Sequence, residues 1–147
     1  MEPIRRILVA VKDPSARTLP AVKKAAQLAR ATGADLELFH SLSQTVLVDA
    51  VDGGGPGLRK YEDEMIQKAL ARLERVADQL RRHRLNVTVS AQWDHPPAEA
   101  IVRRSLRSKS DLIVAERHAG KHSAGWLLNY TDWELIRLAP CPVLIVK

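Results

Sequence analysis

The sequence predicts an α/β domain built on a doubly wound five-stranded parallel sheet, and three observations lead to it. Short apolar runs without alternation recur along the chain, the pattern of strands covered on both faces. Segments with apolar residues at i, i+3 and i+4 stand between them. The two kinds follow one another as β-α-β-α-β-α-β-α-β, the order of a layered α/β fold. With 147 residues, 46% of them apolar, the chain has the size and apolar content of one core, so 1–147 is expected to be a single domain.

Ile7-Leu8-Val9-Ala10-Val11 reads as the first strand. From about Leu19 to Thr32, Val22, Ala25, Ala26 and Ala29 recur at helical spacing, and Gly33 supplies the left-handed residue that ends a helix. Leu36 to His40 makes the second strand and closes a right-handed β-α-β unit. Over 41–60 the periodicity disappears and Gly53-Gly54-Gly55-Pro56-Gly57 predicts a long flexible loop. Val46, Leu47, Val48 and Val51 within it read either as a cover for the sheet or as a lid or partner surface. Ile66, Ala69, Leu70, Leu73, Val76, Ala77 and Leu80 then mark an amphipathic helix, with Lys68, Arg72, Arg75 and Arg82 in the gaps. Asn86 to Ala91 is the third strand, and Pro96-Pro97 opens a helix to about Lys109. Leu112 to Ala115 is the fourth strand. Thr131-Asp132-Trp133-Glu134 matches a capping box with Thr131 at the N-cap, and the helix runs to about Leu138. Val143 to Val146 is the fifth strand, whose uncovered edge is a template for a second copy.

In such a sheet, ligands bind beyond the carboxyl ends of the strands where the winding reverses. If the first and fourth strands flank that point, Lys12 and Asp13 line the crevice on one side and Glu116, Arg117 and His118 on the other. His40 ends the second strand and His95 precedes the third helix, both facing the same region. The net charge of +6, from 23 Lys and Arg against 17 Asp and Glu, invites nucleic acid, an anionic membrane surface or a phosphorylated small molecule. Aromatics at 4% are too few for a single-strand stacking platform, and the basic residues on helix faces and ends suit the macrodipole. Nucleic acid is therefore not the expected partner. No apolar run approaches the roughly 18 residues of a membrane span, and no signal-peptide pattern follows Met1. A cytoplasmic location is expected, in keeping with a lone cysteine, Cys141. Cys141, between two prolines, reads as an inert packing residue.

The segments Ile7 to Val11, Ala26 to Ala34, Ser110-Asp111-Leu112-Ile113-Val114 and Ala139-Pro140-Cys141-Pro142-Val143-Leu144-Ile145-Val146 together resemble the universal stress protein family over essentially the whole chain. Trp93-Asp94-His95-Pro96-Pro97, Glu99-Ala100-Ile101 and Thr131-Asp132-Trp133 resemble its E-type members. Those usually carry two domains in tandem, which leaves open a single-domain relative or a piece of something longer. The resemblance implies a Rossmann-like sheet ordered 3-2-1-4-5, as in adenine nucleotide alpha hydrolases, a homodimer through Val143 to Val146, and in one subgroup ATP or AMP binding. That subgroup's G-x2-G-x9-G-[ST] motif falls here on Glu116, Ala119, Asn129 and Tyr130, so all four positions depart from it. Its aspartate after the first strand is Lys12 here, with Asp13 one position late. Side chains in place of glycine obstruct the approach of backbone N–H groups to phosphate, and Glu116 adds a repulsive carboxylate.

The family's nucleotide mode is thus expected to be lost, leaving a non-catalytic, dimerising stress-response domain that binds a partner or a small ligand, with Lys12, Asp13, His40, Glu116, Arg117, His118 and Asn129 as candidate contacts. The alternative is ATP or AMP held by altered contacts, with Lys12, Arg117 and Lys121 replacing the glycine-loop amides. The glycine run at 53–57 lacks the spacing and the Lys-Ser/Thr pair of a Walker loop. Glu116, His118 and His122 could ligate a metal only on a helical segment, which Gly120 disfavours. No nucleophile elbow or paired carboxylate motif is present, so no enzyme is expected. Trp133 is expected to pack on the sheet or on a partner.

Overall fold

A computed structural model describes residues 3–43, 56–117 and 128–147. Among these, strand and helix alternate as β1 (Arg6–Ala10), α1 (Pro20–Thr32), β2 (Asp35–Leu42), α2 (Pro56–Arg81), β3 (Val87–Trp93), α3 (Pro97–Ser108), β4 (Leu112–Glu116), α4 (Tyr130–Leu138) and β5 (Val143–Val146). The strands form one parallel sheet in the order β3-β2-β1-β4-β5, as the resemblance implies.

Successive side chains of a strand point to opposite faces, and this period divides the core in two. Ile7, Val9 and Val11 join Leu36 and Leu38 against Val22, Ala25 and Ala29 of α1 and Leu73 and Ala77 of α2. Leu8, Ala10, Phe39, Ile113 and Ala115 face the other way, against Ala98 and Ile101 of α3 and Leu135 of α4. Small residues on α1 and α3 let each helix lie close to the sheet. Pro20 sits in the first turn of α1, and Gly33 ends it at φ 76, its N–H donating to the Ala29 carbonyl at 2.8 Å.

One polar group interrupts the α3 face. Glu37, on β2, has a side chain only 12% exposed, yet it accepts from Arg104 Nε at 2.6 Å and from Ser90 Oγ at 2.7 Å. Ser108 Oγ completes the set. A carboxylate in this position needs such donors, because burial of an unpaired charge is costly.

The structure corrects several boundaries. The loop expected over 41–60 is shorter at both ends: Ser41 and Leu42 pair with Gln92 and Trp93 in the β2–β3 ladder, and α2 starts at Pro56. Polar strand ends lack an apolar signature, and the ladder hydrogen bonds carry them regardless. Residues 44–55, with Val46, Leu47, Val48, Val51 and most of the glycine run, lie outside the described residues. The cap of α4 is also different. Asn129, not Thr131, is the N-cap: its side chain accepts from Asp132 N at 3.0 Å, and Asp132 Oδ2 accepts from Asn129 N at 3.3 Å. Asn is as good a cap as Thr, and the helix begins two residues earlier, at Tyr130, which leaves Glu134 to pair with Arg137 at 2.9 Å. Trp133 does not pack on the sheet; it is 59% exposed. Among the described residues no helix is long and apolar enough to cross a membrane.

Candidate functional site

The reversal of winding falls between β1 and β4, and beside it the carboxyl ends of β1, β2 and β3 border two recesses that share Lys12, His40 and Ser41. A cavity of about 180 Å³ lies against Val11, Phe39 and Ile101, and one of about 350 Å³ opens beyond it toward α2. Lys12 and His40 line both. Their position follows from the sequence: each is the residue at which an apolar run gives way, Lys12 exposed just past β1 and His40 half-buried near the carboxyl end of β2.

His40 is held firmly. Its Nδ1–H donates to the Val11 carbonyl at 2.7 Å, while Val11 N donates to the Phe39 carbonyl at 2.8 Å. This fixes the neutral tautomer with Nε2 as the ring's acceptor. Burial pushes the His40 pKa below its ordinary value, outweighing the Val11 hydrogen bond and the Asp13 charge, which favour the cation. Protonation therefore acts against folding: the stability His40 contributes is complete above about pH 6.5, its unfolded value, and is lost as pH falls through the lower folded pKa. The loss in unfolding free energy between pH 7.5 and 5.5, read from denaturant curves, is expected to be smaller in His40→Gln than in the parent chain. Equal losses would show that the ring is not the source.

Asp13 is also engaged locally. It accepts from Ser15 Oγ at 2.7 Å and Ser15 N at 2.9 Å, and these bonds hold its pKa below the usual carboxylate value, helped by the charges of His40 and Arg72. Around the larger cavity, α2 adds Lys68 and Arg72, one turn apart, and β3 adds Trp93, whose ring meets Tyr61 edge to face at 6.2 Å. Sequence reasoning missed these three. Lys68 and Arg72 read as the solvated side of an amphipathic helix, and only the sheet order shows that the first half of α2 lies over the ends of β2 and β3. The net result is a recess with three cations, Lys12, Lys68 and Arg72, and one carboxylate already held by Ser15.

The remaining candidates lie elsewhere. Glu116 and Arg117 end β4, one strand over from β1; Glu116 is in register with Val146, and Arg117 N donates to the Val146 carbonyl at 2.9 Å. They line neither of the two recesses. Asn129 has its side chain committed to the α4 cap. His118, Lys121 and His122 lie outside the described residues. His95 is exposed, and Asp94 before it pairs with Arg103 at 2.7 Å. Among the described residues no three His, Cys, Asp or Glu side chains converge as a metal site would require. Half-buried Cys141 packs at the rim of the α3–α4 core, where burial first and Asp111 second push its thiol pKa up, away from a reactive thiolate.

Comparison with known proteins accords with this architecture. The chain is 25% identical over 143 residues to universal stress protein E of Photorhabdus laumondii, which covers 95% of this chain and 45% of that protein. It is 29% identical over 150 residues to universal stress protein A homolog 2 of Coxiella burnetii, covering 100% of this chain and 97% of that one. The chain thus spans about 45% of the E-type relative it matches. Among solved structures, the universal stress protein of Archaeoglobus fulgidus in complex with dAMP superposes with a TM-score of 0.61 at 19% identity, over 97% of this chain and 98% of that one, a likeness of fold. The model of the Universal stress protein family matches residues 3–147, the span that holds all five strands and both helix layers, and the chain belongs to that family.

Proposed function

We propose that this domain is a non-catalytic stress-response module that binds a small phosphorylated ligand at the carboxyl ends of β1 and β2 and pairs with a second copy through β5. The observation that carries the ligand reading is the grouping of Lys12, Lys68 and Arg72 around one cavity of about 350 Å³, a size within the usual range for small-molecule sites. Cations in a recess with partly excluded water attract phosphate more strongly than the same cations in bulk water. Trp93 supplies an aromatic wall to the same space, which favours an adenine nucleotide within that class. The dAMP complex of the Archaeoglobus relative supports the same class on a shared fold. The phosphates would rest on side-chain cations from α2, since Glu116, Asn129 and Tyr130 replace glycines or a hydroxyl residue in the family's phosphate loop. Of the two groups at the cavity suited to act as bases, Asp13 is taken up by hydrogen bonds from Ser15 Oγ and N, and burial makes His40 a weaker base than a free imidazole, which supports a binding role without turnover. A cytoplasmic setting accords with a single cysteine left as a free thiol.

Isothermal titration with AMP, Mg-ATP and inorganic phosphate tests the ligand class. Dissociation constants in the tens of micromolar for a nucleotide, with no ADP released over hours, are expected. Absence of heat with all three overturns the phosphorylated-ligand reading, and steady ADP release overturns the non-catalytic one.

The pairing reading rests on β5, which among the described residues is an edge strand hydrogen-bonded on one side only, to β4, with Leu144 on it 37% exposed. Sedimentation equilibrium at tens of micromolar should find a dimer, and Leu144→Lys should shift it toward monomer, since a standard interface holds at that concentration. A parent chain that sediments as a monomer there would count against pairing.

A further inference from the structure

We propose that the furrow between α1 and α2 is a docking groove for an acidic amphipathic helix of a partner protein. The furrow exists because α1 lies over β1 and β4 while α2 lies over β2 and β3, which leaves a trough of about 560 Å³ between them. It shares no lining residue with the carboxyl-end cavities, so the inference stands apart from the ligand reading. Its floor is apolar: Leu19, Val22 and Ala26 on one side, Val76 and Leu80 on the other. Its rim carries Arg17, Lys23, Arg30 and His83, and among the described residues no carboxylate lines it.

The rim cations have no ion-pair partner among the described residues, unlike Arg81, Arg103, Arg104 and Arg137, each of which holds a carboxylate. The two acids of α2 nearest the groove in sequence, Glu74 and Asp78, are both held by Arg81, at 2.7 and 2.9 Å. Three unpaired cations flanking an apolar trough are complementary to a ligand with an apolar stripe edged by Asp or Glu. The spacing fits a helix: Lys23 and Arg30 are two turns apart on one face of α1, about 10.5 Å, the repeat of carboxylates at i and i+7. A concave trough accepts side chains projecting from such a helix, whereas a bilayer presents a flat surface to it; the shape therefore favours the peptide.

The test uses the full chain and a fluorescein-labelled fifteen-residue peptide of Leu, Ala and Glu, its Leu residues on one helical face and Glu at both edges. Anisotropy should give a dissociation constant at or below tens of micromolar. Lys23→Glu/Arg30→Glu should weaken it at least tenfold; both residues are exposed, and thermal melts would verify folding. The charge-matched control Lys24→Glu/Arg107→Glu, two exposed residues off the groove, should weaken it less than threefold. A scrambled peptide of the same composition should bind at least tenfold more weakly than the parent peptide. Equal binding of the scrambled peptide, or equal loss in both double variants, would reduce the effect to net charge and overturn the proposal. So would tight binding to phosphatidylglycerol vesicles lost in Lys23→Glu/Arg30→Glu while the peptide fails to bind, since that outcome assigns the groove to a lipid surface.

Discussion

Arg104→Ala is expected to lower the unfolding free energy by about 2–3 kcal/mol, a large fraction of what a domain of this size holds. The reason is the carboxylate left behind. Glu37 is mostly withdrawn from water, and Arg104 is its one cationic partner, at 2.6 Å, among the ion pairs of the described residues. Truncation leaves Ser90 and Ser108 to satisfy a charge by themselves. Arg104 is 26% exposed, so water can enter the vacated space, which keeps the cost at or below the low end of the range for fully buried pairs. For a chain of this length the melting temperature should fall by about 5–10 °C. Arg103→Ala is the natural comparison, on the same helix with a pair at 2.7 Å. Its side chain is 45% exposed, and exposed pairs contribute about 1 kcal/mol or less. Replacing both Glu37 and Arg104 by Leu should recover much of the loss, because no buried charge remains. Urea unfolding of the four chains checks the set, and identical midpoints for Arg104→Ala and Arg103→Ala would refute the account.

The second large effect concerns the ligand. Lys12→Ala/Arg72→Ala is expected to weaken binding of a phosphorylated ligand by at least about 100-fold, since each hydrogen bond to a charged group contributes about 1.5–3 kcal/mol. Both side chains are exposed, so the fold should survive and the change should appear in the dissociation constant alone. Arg117→Ala serves as the contrast. It stands at the end of β4, where the family's glycine loop begins, and should change binding by less than threefold if the phosphate rests on α2. Titration calorimetry of the variants decides the matter: a loss in Arg117→Ala that matches the double variant would move the ligand to the β4 side. Raising the salt concentration should weaken binding to the parent chain more than to Lys12→Ala/Arg72→Ala, as fewer charges then take part.

How far the sequence led is clear from single residues. The run at Ile7 to Val11 located β1 almost to the residue, because a strand buried on both faces leaves an uninterrupted apolar trace, and Val143 to Val146 left the same trace for β5 although that edge strand is only partly buried. Gly33 located the end of α1 for an equally local reason, since only a residue tolerant of positive φ suits that place. Where pairing rather than side-chain chemistry sets the boundary, the trace fades. Ser41 and Leu42 extend β2 beyond the expected end at His40 through backbone bonds to β3, and nothing in their own side chains announces it. At α4 the local signal was present but ambiguous, as Asn129 and Thr131 are both good caps with an acid three residues on.

The site divides in the same way. Lys12, Asp13 and His40 were legible because they follow apolar runs, and the end of a strand in this fold is where ligands gather. Lys68, Arg72 and Trp93 were not legible as site residues. Their place depends on which half of a long helix crosses which strand ends, a property of the sheet order and not of any local pattern.

That helix has a mechanical consequence. Arg81, its last residue, grips the Val87 carbonyl through Nε at 3.1 Å and Nη2 at 2.7 Å, and so rivets one end of α2 to the first residue of β3. The 26 residues of α2 form a rod of about 39 Å with a pivot at that end. A tilt of about five degrees there carries the backbone at Lys68, roughly 20 Å along the rod, by about 1.7 Å, while that at Leu80, beside the rivet, moves by about 0.1 Å. Two of the three cations of the carboxyl-end cavity, Lys68 and Arg72, thus ride on the arm of a lever while Lys12 stays with the sheet, and the groove against α1 lies near its fulcrum.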